Sequence, residues 1–171
     1  VLQATYPLMQ FLGAPILGRL SDRFGRKPIL VISQIGTLAG FILLGFANTL
    51  TLLFISRIID GLSGANISTA QAAIADSTNE KTRTQGLGLI GAAFGLGFVF
   101  GPIIAFIVLA ATGQNYQAVA WTAAFFSFAS ILLTSFWFSE TRTVDSASAL
   151  RKKFSFNALS EALRRPKIGF L

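Results

Sequence analysis

The strongest restriction on this chain is the length of its apolar runs. They recur from end to end at roughly 19 to 25 residues, which at 1.5 Å per helical residue is enough to cross a hydrocarbon layer of about 30 Å. Within lipid every backbone N–H and C=O needs an internal partner, so runs of this length are expected to be helices. Barrel strands would be about half as long and would alternate in polarity. The pattern predicts five transmembrane helices, at residues 1–20, 29–47, 51–75, 86–111 and 118–138, and hence an all-α integral membrane fold. A hydrophobic content of 53% against 12% charged residues makes the bilayer the solvent to reason with.

The charges sort by connection. Asp22, Arg23, Arg26 and Lys27 lie between the first two spans, and Asp76, Glu80, Lys81 and Arg83 between the third and fourth. Glu140, Arg142 and a basic tail follow the fifth. The connections around Asn48 and from Thr112 to Gln117 carry no charge. Basic connections stay cytoplasmic, so the charged loops and the tail are expected inside the cell membrane. In a soluble protein a net charge of +7 would point to nucleic acid. Here it belongs to topology, and no nucleic-acid partner is expected. The chain has no cysteine and no histidine, which removes disulfides, thiolate chemistry and the commonest metal ligand and general base. The spans also lack paired carboxylates, so neither an enzyme nor a metal or other cofactor is expected.

Residues 141–171 read as a basic cytoplasmic linker. Phe156, Leu159 and Leu163 recur at helical spacing and Arg164, Arg165 and Lys167 close the segment. That pattern fits either a short helix on an anionic leaflet or a solvated loop. Val1 is not an initiator Met and no signal-peptide pattern precedes the first span, so the chain is expected to be an internal piece of a longer protein.

The densest charge cluster is "GRLSDRFGRKP", Gly18 to Pro28. Gly18 permits close helix approach, Gly25 permits a tight reversal, and the basic residues hold the segment at the cytoplasmic face. The spacing of Gly18, Leu20, Asp22, Arg23, Gly25, Arg26 and Lys27 resembles the signature loop of the major facilitator superfamily. "SRIIDGLSGANISTAQAAIAD" is similar to its fourth-helix arginine motif, "GAAFGLGFVFGPIIAF" to its fifth-helix Gly-Pro antiporter motif, and "SETR" to the end of its sixth helix. The chain resembles tetracycline-type drug and proton antiporters in particular. The resemblance implies family helices two to six of the N-terminal six-helix half, with the first helix and the C-terminal half lying outside the chain. It also implies that Gly18, Asp22, Arg23, Gly25, Arg26 and Lys27 form a cytoplasmic gate that Asp76 joins from the end of the third span. Two departures are visible: Phe106 stands where the antiporter motif has a small residue, and Gly40 stands near the position of an acid in tetracycline-type pumps.

Arg57 and Asp60 fall within the third span, three residues apart and therefore on one helix face. A charge there costs on the order of 3 kcal/mol, so the pair is expected to face a cavity or another helix. Arg57, Asp60, Gly61, Gly64, Ser68, Gln71 and Ala75 form a continuous small and polar stripe on an uninterrupted helix. The pair reads as a proton-coupling site or as a structural pair orienting helices. Asn66 points the other way and reads as an interhelical hydrogen bond. Tyr6 and Gln10 share a face of the first span and, with Gln71, read either as a substrate path for amphipathic molecules or as core hydrogen bonding. Gly91, Gly95, Gly97 and Gly101 offer small faces for packing, and Pro102 removes a backbone donor in mid-span and is expected to kink the helix.

The expected function is secondary active transport, in the form of proton-coupled efflux of drugs or other amphipathic small molecules by alternating access. The expected location is a bacterial inner membrane. The expected partners are a small-molecule substrate, protons, the lipid bilayer and the other half of the same protein. A nutrient or metabolite symporter of the same fold is one alternative. A non-transporting membrane receptor or scaffold is another, and it would have little use for a buried Arg57 and Asp60 pair.

Overall fold

The computed structural model describes residues 2–142, which contain six helices. They are α1 (Leu2–Phe24), α2 (Arg26–Gly45), α3 (Leu50–Ser63), α4 (Ile67–Ser77), α5 (Arg83–Ala111) and α6 (Tyr116–Trp137). The tail pattern at Phe156, Leu159 and Leu163 lies outside the described residues. By length and apolarity α2, the α3–α4 unit Leu50–Ser77, α5 and α6 can each cross a membrane. α1 has the length, at 23 residues, but Gln3, Tyr6 and Gln10 make it more polar than the others.

Two boundaries differ from the sequence expectation. The predicted connection at 21–28 is almost entirely helical: α1 runs to Phe24 and α2 begins at Arg26, leaving Gly25 alone at φ +106°. Glycine reaches that backbone region without steric cost, so a single residue reverses the chain. The predicted span 51–75 is two helices, broken at Gly64, Ala65 and Asn66. Gln10 Nε2 donates to the Gly64 carbonyl at 3.0 Å, so a side chain from α1 caps the end of α3.

Glycines set how closely the helices approach. A Cβ on Gly61 would lie 2.6 Å from the Tyr6 carbonyl oxygen, and one on Gly13 2.7 Å from that of Leu62, so α1 and α3 touch backbone to backbone. A Cβ on Gly40 would lie 2.8 Å from that of Asp60, which brings α2 equally close to α3. α2 also packs along α6: Gln34 Nε2 donates to Ser130 Oγ and Thr134 Oγ1 at 3.2 and 3.0 Å, and Phe46 meets Trp121 edge to face at 4.8 Å.

The interior is mostly small and polar, with Ser21, Ser33, Ser56, Asp60, Thr69, Ala65 and Ala73 buried beside Ile29 and Leu30, while most large apolar side chains, such as Phe98, Phe136 and Trp137, point outward. This is the arrangement expected where lipid rather than water lies outside. α5 goes furthest, with none of its residues buried against the other described ones. It runs through Pro102 without a break. A Cβ on Gly91, Gly95, Gly97 or Gly101 would meet no described atom within 4 Å.

The two uncharged connections meet at one end of the bundle, where Gln117 Nε2 donates to Asn48 Oδ1 at 2.9 Å. The charged helix ends gather at the other. In intact cells, a cysteine at the exposed Gln114 should react with an impermeant thiol reagent, and one at the exposed Lys81 should not. The reverse pattern would invert the topology.

Candidate functional site

The charged end is organised around one guanidinium. Arg26 is 8% exposed at the start of α2. Its Nη1 donates to Asp22 Oδ1 at 2.5 Å, in the last turn of α1, and to Ser21 Oγ at 2.8 Å. Its Nε donates to Asp76 Oδ2, at the end of α4, at 2.9 Å. One side chain therefore joins α1, α2 and α4. The two carboxylates remain partly exposed, at 41% and 30%, so each pair is worth no more than about 1 kcal/mol. Of the other residues in the segment, Arg23 lies over the Phe24 ring, 5.3 Å from its centroid. Gly18 faces Ser68 on α4, and Lys27 offers its backbone amide to Glu140.

Glu140 and Arg142 complete this end; both lie in the SETR stretch, which the sequence marks as a helix end without giving either residue a place in the charge cluster. Glu140 Oε1 accepts from the Arg26 amide at 2.8 Å and Oε2 from the Lys27 amide at 3.1 Å. These are two of the donors a helix start leaves unpaired, and the Gly25 cap has no side chain to serve them. Arg142 Nη1 donates to the Arg23 carbonyl at 2.6 Å, in the last turn of α1. An anion thus sits at the start of α2 and a cation at the end of α1, the signs that complement both helix dipoles. Burial raises the Glu140 pKa, but hydrogen bonds from the amides of Arg142, Arg26, Lys27 and Thr141 outweigh it and hold the carboxyl below its ordinary 4.5. The available signal was an acid and a base two positions apart after a span.

Deeper in the bundle, Arg57 Nη1 lies 3.6 Å from Asp60 Oδ2. Asp60 is 3% exposed and Thr37 of α2 hydrogen-bonds its carboxylate. Asp60 lines a cavity of about 680 Å³ with Tyr6, Gln10, Gln34, Thr37 and Asn66, while Phe41, Phe94 and Phe126 supply aromatic wall. Arg57 opens instead on a neighbouring cavity of about 640 Å³ with Tyr116 and Gln117. Phe41 and Ala123 belong to both cavities.

The break between α3 and α4 divides the stripe read from the sequence. Asp60 and Gly64 reach the larger cavity, whereas Ser68 and Gln71 turn to a third one, of about 360 Å³, with Pro7 and Ala14. Tyr6 is therefore not on the same cavity as Gln71, and Gln10 lines both. Asn66 Nδ2 donates to Ser33 Oγ at 3.1 Å, an interhelical bond that also places it on the cavity wall. Of the α5 glycines Gly97 reaches the larger cavity; Gly91, Gly95 and Gly101 reach none of the three. Among the described residues no cluster of acidic side chains could hold a metal ion.

Residues 1–171 match the family model for the Major Facilitator Superfamily. The chain is 40% identical over 142 residues to the tetracycline resistance protein, class B, of Escherichia coli, an alignment covering 83% of this chain and 35% of that one. It is 36% identical over 165 residues to the class E protein of Escherichia coli, covering 96% and 40%. The structure resembles that of the human organic anion transporter MFSD10 (TETRAN), with a TM-score of 0.75, 28% identity, and coverage of 85% of this chain and 33% of that one. The chain thus spans between a third and two fifths of the length of these relatives.

The Glu140 contacts carry a pH signature. Because the folded carboxyl titrates below its ordinary 4.5, its contribution to stability is complete above that value and is lost as pH falls through the folded pKa. Thermal melts of parent and Glu140→Gln protein should therefore differ most near neutral pH and converge in acid below pH 4.5. A constant offset across that range would contradict the assignment.

Proposed function

Because the chain belongs to the major facilitator superfamily and is a multi-pass membrane protein, we propose that it forms five helices of the N-terminal half of a proton-coupled efflux transporter. Efflux of an amphipathic small molecule by alternating access needs two halves rocking about a site near the midplane. The tail from residue 141 then leads towards the second half. A bacterial inner membrane, with the Arg26 end in the cytoplasm, accords with the tetracycline resistance relatives and with the distribution of basic residues. The observation that carries the reading is a carboxylate, Asp60, on the wall of a polar and aromatic cavity inside the bundle and beside a fixed cation, Arg57.

The chemistry divides between the two ends of the site. A guanidinium stays charged, so a proton taken up or released by Asp60 changes the field beside Arg57 without changing Arg57 itself. The amide and hydroxyl groups of Gln10, Tyr6 and Asn66 offer hydrogen bonds to a substrate's polar edge, and Phe94 and Phe126 offer apolar faces. At the Arg26 end, ion pairs of about 1 kcal/mol each are strong enough to bias a gate and weak enough to release it.

Asp60→Asn removes the titratable group and nearly keeps its shape. In the full-length protein reconstituted in proteoliposomes, this variant should insert normally and lose transport driven by a pH gradient. Undiminished pH-driven transport would rule out Asp60 as the coupling acid.

A further inference from the structure

The Arg26 side chain has three anchors, Asp22, Ser21 and Asp76, and its backbone has a fourth in Glu140, which lies 114 residues further along the chain. The carboxylate fits where it does because Gly25 has no side chain. A Cβ there would lie 2.5 Å from Glu140 Oε2 and 3.0 Å from its Cδ. Phe138 leaves α6 in extended backbone, φ −80° and ψ 121°. Beyond it Glu140 and Arg142 both reach the α1–α2 junction, and the Arg142 amide also donates to Glu140 Oε1 at 3.0 Å. There they take opposite ends of it, the first amides of α2 and a carbonyl in the last turn of α1.

We infer that Glu140 is a positioning residue for the gate: by holding the first two amides of α2 it fixes Arg26 between Asp22 and Asp76 and couples the end of α6 to that cluster. The inference rests on the reading of the Arg26 cluster as a cytoplasmic gate. α2 and α6 are also joined at mid-height by Gln34 with Ser130 and Thr134, and at the far end by Phe46 with Trp121. A shift of α6 is therefore carried along α2 to the guanidinium. If Glu140 releases the two amides, the Arg26 backbone is free to move and the fork no longer meets both carboxylates in register. Loss of the Glu140 contacts should therefore act through the Asp22 and Asp76 pairs and not independently of them.

The test uses the full-length protein with any other cysteines replaced and two reporters read separately, Gln71→Cys for the cytoplasmic side and Ala105→Cys for the cavity that Ala105 lines with Arg57, Tyr116 and Gln117. Thiol labelling rates are measured in parent, Asp76→Asn, Glu140→Gln and the double variant. Each single variant should raise labelling at Gln71→Cys about fivefold and lower it at Ala105→Cys, since about 1 kcal/mol shifts a two-state population by that factor. The double variant should label little faster than the faster single one, because both changes break one network. If Glu140→Gln accumulates poorly, Glu140→Asp keeps the charge and withdraws it by one methylene, and it should move both reporters in the same directions. Parent-like rates, a double effect equal to the product of the singles, or faster labelling at both ends would each overturn the inference. None of these readouts depends on which acid couples to protons, so loss of the Asp60 assignment would leave the result standing.

Discussion

One arginine decides how the charged end of this bundle is built. Arg26 is almost fully buried, and a buried guanidinium is tolerated only when its donors are met. Asp22, Ser21 and Asp76 meet them from α1 and α4, and Glu140 meets its amide from the segment after α6. Three other parts of the chain therefore converge on one residue of α2. The single-residue turn at Gly25 follows from this, since any side chain there would occupy the space taken by the carboxylate. So does the position of α4, whose last turn must bring Asp76 to the same point.

The rest of the bundle obeys a different constraint. With lipid outside there is little reason to bury large apolar side chains, and the helices instead close on small residues and hydrogen bonds. Gly13, Gly40 and Gly61 let α1, α2 and α3 approach at backbone distance. That closeness is what encloses Asp60, and Phe94 of α5 and Phe126 of α6 wall the cavity beside it. Arg57 and Asp60 then face different cavities on either side of Phe41 and Ala123, so one ion pair borders both spaces.

Much of this was legible in the sequence, for physical reasons that also mark where legibility stops. Apolar runs long enough to cross a bilayer are strong signals, and the helices fall where those runs do. The Asp22, Arg26 and Asp76 group was nameable because charge is rare in such a chain and these residues sit at span ends. The break at Gly64–Asn66 has no such local signal, and the Gly64 carbonyl it frees is taken by Gln10, a residue from another helix. Without it the polar stripe looked continuous, and Gln71 was grouped with Tyr6 although they line different cavities. The extension of α1 to Phe24 and the early start of α2 were hidden for the same kind of reason. The cap of α2 comes from Glu140, more than a hundred residues away, and no local pattern encodes it.

Whether the charges at this end form a gate or only orient the chain in the membrane is decided most directly by Arg26→Lys. Lysine keeps the positive charge that fixes topology, but it has a single ammonium in place of the planar fork that reaches Asp22 and Asp76 together. The measurement is transport rate in the full-length protein at matched membrane abundance. The account predicts normal insertion and orientation with transport lowered about tenfold or more, the effect of losing about 1.4 kcal/mol from the cluster. Transport by Arg26→Lys equal to the parent would contradict it and leave the cluster with topology as its only role.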